Sequence, residues 1–359
     1  MSNHPENRPT LADETYQENI LQGVSRTFAL TIPQLPENLR NVVSNAYLLC
    51  RIADTIEDDN ALTPEQTRNL SDMFVSVVAA ETPAESFSEA LYPLLSEHTI
   101  EAEHDLIKHV PAVIRITHSF NTNQRQALER CIQIMAKGMA DYQDTETLDG
   151  LEDLLSMDKY CYYVAGVVGE MLTELFCDYS KEINNHKEEM MQLAVSFGQG
   201  LQMTNILKDI WDDRLRGACW LPQDIFNAEG FNLSSLQPGC QDKNFHRGLA
   251  KLIGVACDHL RDALTYTLII PSHESGIRRF CLWALGMAVL TLKKINKHRD
   301  FSDGNQVKIS RRSVKATVLL TSLFARHDRV LRLLFDFTSR DLPVTNIREK
   351  LARVNCNAV

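Results

Sequence analysis

The chain of 359 residues carries 47 acidic against 37 basic side chains, a formal net charge of −10, and is 44% hydrophobic. That charge excludes a non-specific grip on nucleic acid, while the apolar share suffices for a sizeable core. Only 15 Gly and 12 Pro are present, which favours long helices over a turn-rich β fold, and nine Cys without C-x-x-C or Cys/His zinc spacing read as buried thiols in a reducing cytosol.

Residues 1–15 are polar and read as a mobile tail, with no signal-peptide pattern. Ser25-Arg26-Thr27-Phe28 follows, and Pro33 and Pro36 then interrupt any helix. The planar cation of Arg26 suits a phosphate oxygen; it equally suits a helix end or a surface acid. From Tyr47 to Asp58 the pattern is helical, with Tyr47, Arg51, Asp54 and Asp58 on one stripe. Thr63 ahead of Pro64 is an N-cap signal. Residues 103–141 read as helical, with Leu128, Cys131, Ile132 and Met135 on an apolar face.

Ser156 is a candidate N-cap for a helix bearing Tyr160, Tyr162 and Tyr163. Gly166 and Gly169 in that helix permit close approach of a backbone or a ligand. The helix expected over 187–213 carries Gln202, Asn205, Asp209 and Asp213 on one stripe, one turn beyond Gly198 and Gly200. Polar groups set between apolar neighbours are costly without partners. Carboxylate and amide oxygens suit Mg²⁺, which keeps waters and is completed by substrate phosphates. An Asp-x-x-x-Asp face is by itself commonly a solvated surface; two matching stripes favour a polyphosphate ligand bridged by metal, held between helices that face each other. Arg214 and Arg216 beyond the second stripe fit a departing diphosphate or the helix dipole.

Residues 245–292 are helical in pattern, broken at Pro271–Gly276, and residues 293–332 turn basic, with Lys293, Lys294, Lys297, Arg299, Lys308, Arg311, Arg312 and Lys315. This stretch suits a cofactor phosphate, anionic lipid, or a simple offset of the acidic half. No apolar run reaches the roughly 18 residues that span a bilayer. The ending Cys356-Asn357-Ala358-Val359 fits a prenylation box poorly and is taken as chance. Without repeats or linkers, one all-α domain over 16–345 with a tail at 346–359 is the simplest organisation.

Four motifs, in this order, resemble the squalene/phytoene synthase family: Ser25-Arg26-Thr27-Phe28, the Tyr47–Asp58 stretch, Tyr160-Cys161-Tyr162-Tyr163-Val164-Ala165-Gly166, and Gln202-Met203-Thr204-Asn205-Ile206-Leu207-Lys208-Asp209. The resemblance runs from about residue 20 to about residue 330 and is strongest to the squalene-forming branch. It implies an isoprenoid-synthase helical bundle around a central apolar cavity. It implies Mg²⁺-dependent head-to-head joining of two farnesyl diphosphates to presqualene diphosphate, then reduction by NADPH; the alternative is a dehydrosqualene or phytoene synthase without the reduction.

By the same resemblance Asp54, Glu57 and Asp58 form one metal cluster, and Asp209 and Asp213 the other, assisted by Asn205. Tyr160 serves as acid/base or cation stabiliser. Arg26, Tyr47 and Arg51 hold diphosphate, with Phe28, Gln202, Asn205 and Arg216 as further substrate contacts. Lys308, Arg311 and Arg312 resemble the basic segment near the reductant, although no Rossmann glycine pattern is present. The chain departs from relatives at Ala218, where an Arg is common, and at Ala284-Leu285, where some carry Pro-Gln. Expected partners are farnesyl diphosphate and no nucleic acid; the expected setting is cytoplasmic, with peripheral membrane contact through the basic stretch from Lys293. A helical scaffold without catalysis is the reading from another class.

Overall fold

The computed structural model describes residues 9–25, 27–143 and 147–345. Arg26, the first eight residues and the expected tail at 346–359 lie outside the described residues. The fold is all-α: among the described residues the only β pairing is an isolated bridge between Leu151 and Pro222.

By its internal contacts the chain forms two compact units. The first takes the described residues of Met1–Thr145 together with Glu170–Lys187. Its helices are α1 (Leu11–Val24), α2 (Phe28–Thr31), α3 (Glu37–Asp58), α4 (Pro64–Val78), α5 (Ala84–Leu91), α6 (Glu101–Lys108), α7 (Val110–Ser119) and α8 (Thr122–Gln143). The second takes the described residues of Glu146–Gly169 and Glu188–Val359. It begins with α9 (Leu154–Cys161); α10 (Val167–Tyr179), α11 (Lys181–Asn184) and α12 (Lys187–Leu215) follow in the chain, the boundaries falling inside α10 and α12. It continues with α13 (Gln223–Asn227), α14 (Lys243–Ile269), α15 (Ser275–Lys297), α16 (Gly304–Val307), α17 (Arg311–Phe324) and α18 (Asp328–Ser339).

Helix boundaries follow local chemistry. The stretch expected to be a mobile tail over 1–15 is already helical from Leu11, because Thr10 and Asp13 close a capping box. Asp13 is also gripped by Arg115 of α7, with bonds of 3.1 and 2.6 Å. Thr63 caps α4 as expected, and Gln66 closes its box. The helical run over 103–141 is three helices, since Pro111 opens α7 and the chain turns again at Phe120. Asp153, not Ser156, caps α9; it accepts from the Ser156 amide at 2.8 Å, so the helix starts earlier than expected.

Two core helices position the chemistry. In α3, Val42, Ala46, Leu49, Ala53 and Ile56 are all buried. Their alternating spacing of three and four makes one continuous apolar seam. That seam leaves Tyr47, Arg51 and Asp54 half-buried on its flank and Asp58 exposed. In α12, Met203, Ile206, Leu207, Ile210 and Trp211 are buried, and the indole of Trp211 donates to the Phe301 carbonyl at 2.8 Å. Between α9 and α10 the helix widens into a single π turn, Tyr162–Gly166. In α15 the guanidinium of Arg278 is buried; it donates to the carbonyls of Ile270, Ala325 and Leu268 and pairs with Asp328 at 2.6 Å. α15 is long and apolar enough to cross a membrane, but 67% of its apolar window is buried, which marks a core helix.

Candidate active site

The first acid stripe sits in the first unit. Arg51 is the hinge of its electrostatics. It donates to Glu103 of α6 through Nε at 2.8 Å and Nη2 at 2.5 Å, while its Nη1 stands 3.6 Å from Asp54. The side chain of Asp54 is 27% exposed. Burial raises its carboxyl to about 7; Arg51 opposes that shift, and Asp58 and Glu103 add to it. One guanidinium therefore serves two carboxylates, Glu103 and Asp54. Glu57 is half-buried and lies about 80° round the helix from Asp58–Asp54, off the main stripe. Asp59 is buried and structural: it accepts from the Ala61 and Ser96 amides and the Thr99 hydroxyl.

Tyr47 donates to the Val24 carbonyl at 3.1 Å and packs against Phe28, ring centroids 5.0 Å apart. Two of the expected substrate contacts are thus in one place, held by the end of α1. Their expected companion Arg26 falls outside the described residues.

The second stripe sits in the second unit, on α12. Gln202 and Asp209 are half-buried, Asn205 is exposed and Asp213 is buried. This stripe carries its own cations. Lys208 pairs with Asp209 at 2.9 Å, and Arg216 with Asp213 at 2.6 Å. Burial still pushes the Asp209 carboxyl up, against the pull of Lys208. Arg216, expected as a substrate contact, is in this state a partner of Asp213. Arg214 turns elsewhere, donating to the Leu148 carbonyl at 2.9 Å.

The tyrosine helix packs beside this stripe. Tyr160 is buried, its ring stacked on Trp220 with centroids 4.0 Å apart and planes 6° apart. The glycines expected to admit a backbone or a ligand admit backbone. A Cβ on Gly198 would fall inside the Ala165 carbonyl, and one on Gly169 inside the Ala194 carbonyl. α12 is thereby drawn tight against the π turn and α10. Gln199 adds a bond to the Asp158 carbonyl at 3.0 Å.

Sequence reading missed a polar chain that joins α12, α14 and α9. Ser196 donates to Asp262 at 3.0 Å and lies 3.1 Å from His259 Nδ1, whose Nε2 faces Asp158 at 3.8 Å. Glu103 was also missed. Its one signal was an acid at the start of a helix, where the dipole alone explains it.

The residues expected at a reductant lie at the start of α17. Lys308 is exposed and donates to Asn305 at 2.9 Å, and Arg311 and Arg312 are exposed in the first turn. Among the described residues no three His, Cys, Asp or Glu side chains converge as ligands of one ion. The eight described cysteines are free, and all but Cys240 are buried.

Comparison with known proteins gives the lineage. The squalene/phytoene synthase family matches residues 21–313. The chain belongs to that family. Squalene synthase ERG9 of Saccharomyces cerevisiae is 30% identical over 344 residues, covering 93% of this chain and 70% of that one. The squalene synthase of Eremothecium gossypii is 29% identical, covering 76% of this chain and 60% of its own length. The fold is that of the TcSQS ligand complexes: one, with BPH1237, superposes with a TM-score of 0.71 at 23% identity, over 91% of each chain. Enzymes make up the family, and both acid stripes and the tyrosine helix lie within the matched span.

Proposed function

We propose that the chain is a Mg²⁺-dependent farnesyl-diphosphate farnesyltransferase that continues, with NADPH, to squalene. The carrying observation is Asp54: a carboxyl raised to about 7 by burial, with Arg51 already committed to Glu103. Such a group is relieved by added positive charge. Mg²⁺ takes one or two carboxylates and leaves its other positions to phosphate oxygens and water, so two short acid stripes fit it better than a closed cage. Each stripe would hold it by its own oxygens: Asp54 and Asp58 in the first unit, with Glu57 at the margin, and Asp209 and Asp213 with Asn205 in the second. Bound metal supplies neutralisation of the charge that develops on the leaving diphosphate.

The chain's own groups do the rest. Arg51, anchored by Glu103, and Tyr47 orient the diphosphate, with Phe28, Gln202 and Arg216 as further contacts. The rings of Tyr160 and Trp220 offer π faces to an allylic cation, and their burial withholds water that would quench it. The Tyr160 hydroxyl is the candidate for proton transfer. Arg311 and Arg312, exposed cations in a first helical turn, together with Lys308, suit the phosphates of NADPH. A greasy C30 product suits an enzyme that works beside a membrane.

The test is to incubate purified protein with farnesyl diphosphate and Mg²⁺, with and without NADPH, and to identify products by mass spectrometry. Squalene only with NADPH is the expected result. Dehydrosqualene irrespective of NADPH, or turnover only with the C20 diphosphate, overturns the reductive reading; full turnover in excess EDTA overturns the metal assignment.

A further inference from the structure

Charge and greasiness change together near the end of the second unit. Residues 311–340 carry seven Lys and Arg against two Asp, in a chain of net charge −10. Both acids are held by cations: Asp328 by Arg278 at 2.6 Å, and Asp336 by Arg261 at 2.8 Å.

α17 is built inside out for water. None of its 14 residues is buried. Its half-buried side carries Val314, Thr317, Val318, Thr321 and Ser322. Thr317 fits where Gly286 of α15 leaves room, and Trp283 donates to Ser322 at 3.2 Å. The Thr317 and Thr321 hydroxyls bond back to the preceding turn, at 3.0 and 2.7 Å. The opposite side bears the leucines: Leu319, Leu320 and Leu323 are 68%, 43% and 65% exposed. A surface helix in water turns its apolar stripe to the core; this one turns hydroxyls inward and leucines outward.

α18, next in the chain and in contact with α17, has exposed apolar side chains of its own. It buries Leu331 and Phe335, yet exposes Leu333 at 68% and Phe337 at 63%, with Arg340 over the Phe337 ring at 4.7 Å. Exposed cations flank the leucines: Lys315 on α17, Arg329, Arg332 and Arg340 on or beside α18. Behind them α15, α17 and α18 line an apolar groove of about 300 Å³ that includes Leu285, Gly286, Val289, Leu320 and Leu334.

We propose that the α17–α18 pair is a docking surface for an anionic lipid bilayer. Leu319, Leu323, Leu333 and Phe337 enter the acyl boundary, and Lys315, Arg329 and Arg332 meet the anionic headgroups. Charge decides between a bilayer and a second copy of the chain. A two-fold contact sets the same patch against itself and would bring the cation-rich segments together; an anionic surface complements them. Of the basic stretch from Lys293 that the sequence expected to make this contact, the part on α15 and just after it is engaged within the fold, while Lys315, Arg329 and Arg332 lie exposed on the proposed surface. Lys293 pairs with Asp341 at 3.2 Å, Lys294 donates to the Lys308 carbonyl, and Arg299 donates to Asn296 and to the His246 carbonyl.

The test uses the whole chain and sedimentation with vesicles of phosphatidylcholine, alone or with roughly 30% phosphatidylglycerol, the anionic component that attracts basic segments. Binding to the mixed vesicles that weakens with salt is expected. The pair Leu319→Glu/Leu323→Glu should reduce binding at least about tenfold, because apolar burial is lost. The triple Lys315→Gln/Arg329→Gln/Arg332→Gln should reduce it on the order of a hundredfold, at about 1 kcal/mol per basic residue. Both keep the helical circular dichroism, since every altered residue is exposed. No binding to either vesicle overturns the proposal. So does a leucine variant that binds as wild type, or a concentration-dependent dimer that the leucine variant abolishes while vesicle binding is absent.

Discussion

The two acid stripes look alike as sequence and differ as electrostatics. On α3 the resident cation is drawn off: Arg51 gives two donors to Glu103 and stands 3.6 Å from Asp54. On the α12 stripe both acids have a cation close by in the chain, Lys208 on the same helix for Asp209 and Arg216, just past the helix end, for Asp213. The same Asp-x-x-x-Asp spacing thus yields one acid, Asp54, whose cation is shared with another helix, and two whose cations are their own close neighbours in sequence. A dication relieves the first and must compete with closer partners at the second. Spacing says where oxygens point; only the surroundings say how much charge they still lack.

The largest test removes an acid from each stripe. Asp54→Ala and Asp209→Ala should each lower turnover by about a thousandfold, the scale of removing a group that stabilises developing charge, with the helical circular dichroism unchanged. Near-normal turnover in either variant refutes its role at the metal. The next effect is confined to α12, whose place depends on a glycine. Gly198→Ala drives a methyl into the Ala165 carbonyl and should destabilise the protein by about 1–3 kcal/mol, as overpacking does, read by urea unfolding. α3 has no glycine between Glu37 and Asp58, and no comparable sensitivity is expected along it.

A finer test separates how the cations are held. Glu103→Gln frees Arg51 and should lower kcat/KM about tenfold, the lower end for groups that orient a metal site from behind. Asp213→Asn removes the 2.6 Å partner of Arg216 and an oxygen of the metal stripe together, and should lower kcat/KM more than Glu103→Gln does. The smallest effect is at the start of α1. Arg115 and the Thr10 cap hold the Asp13 carboxyl below its usual range. A depressed folded-state value contributes stability above the unfolded one and loses it as pH falls through the folded one. Wild type should therefore exceed Asp13→Asn in unfolding free energy near neutral pH, and the gap should close below about pH 4, the ordinary carboxyl range. A constant gap down to pH 2 would assign the difference to the cap geometry and not to charge.

Much of this was legible in the sequence because it is periodic. The seam Val42–Ala46–Leu49–Ala53–Ile56 fixes which side of α3 is wet, so the stripe follows from counting. Thr63 ahead of Pro64 announces α4 in the same way. What was not legible depends on distant residues. Glu103 reaches Arg51 across 52 positions of sequence, and no local pattern marks that grip. Asp153 competes with Ser156 for the same cap, and the chain's approach to α9 chose between them. The glycines announced a close approach without saying to what; carbonyls of Ala165 and Ala194 are the answer. Nor does composition show that α17 turns its leucines away from the core, since its hydroxyl-rich side is selected by Gly286 and Trp283 on another helix. The division into two units, which cuts inside α10 and α12, has no linker to betray it.

The π turn at Tyr162–Gly166 works as a spatial frameshift. One surplus residue advances everything downstream by about 100° round the axis relative to a regular helix, so the register that suits Tyr160 and the register that suits Gly169 belong to different phases of one rod. Deleting a single residue such as Val164 would heal the ladder with both flanks in place; straightening the turn without a deletion would instead bring the following side chain, in place of Gly169, against the Ala194 carbonyl. Ring and glycine can then satisfy their neighbours one at a time but not together. The surplus residue is what lets the tyrosine and the glycine share one rod.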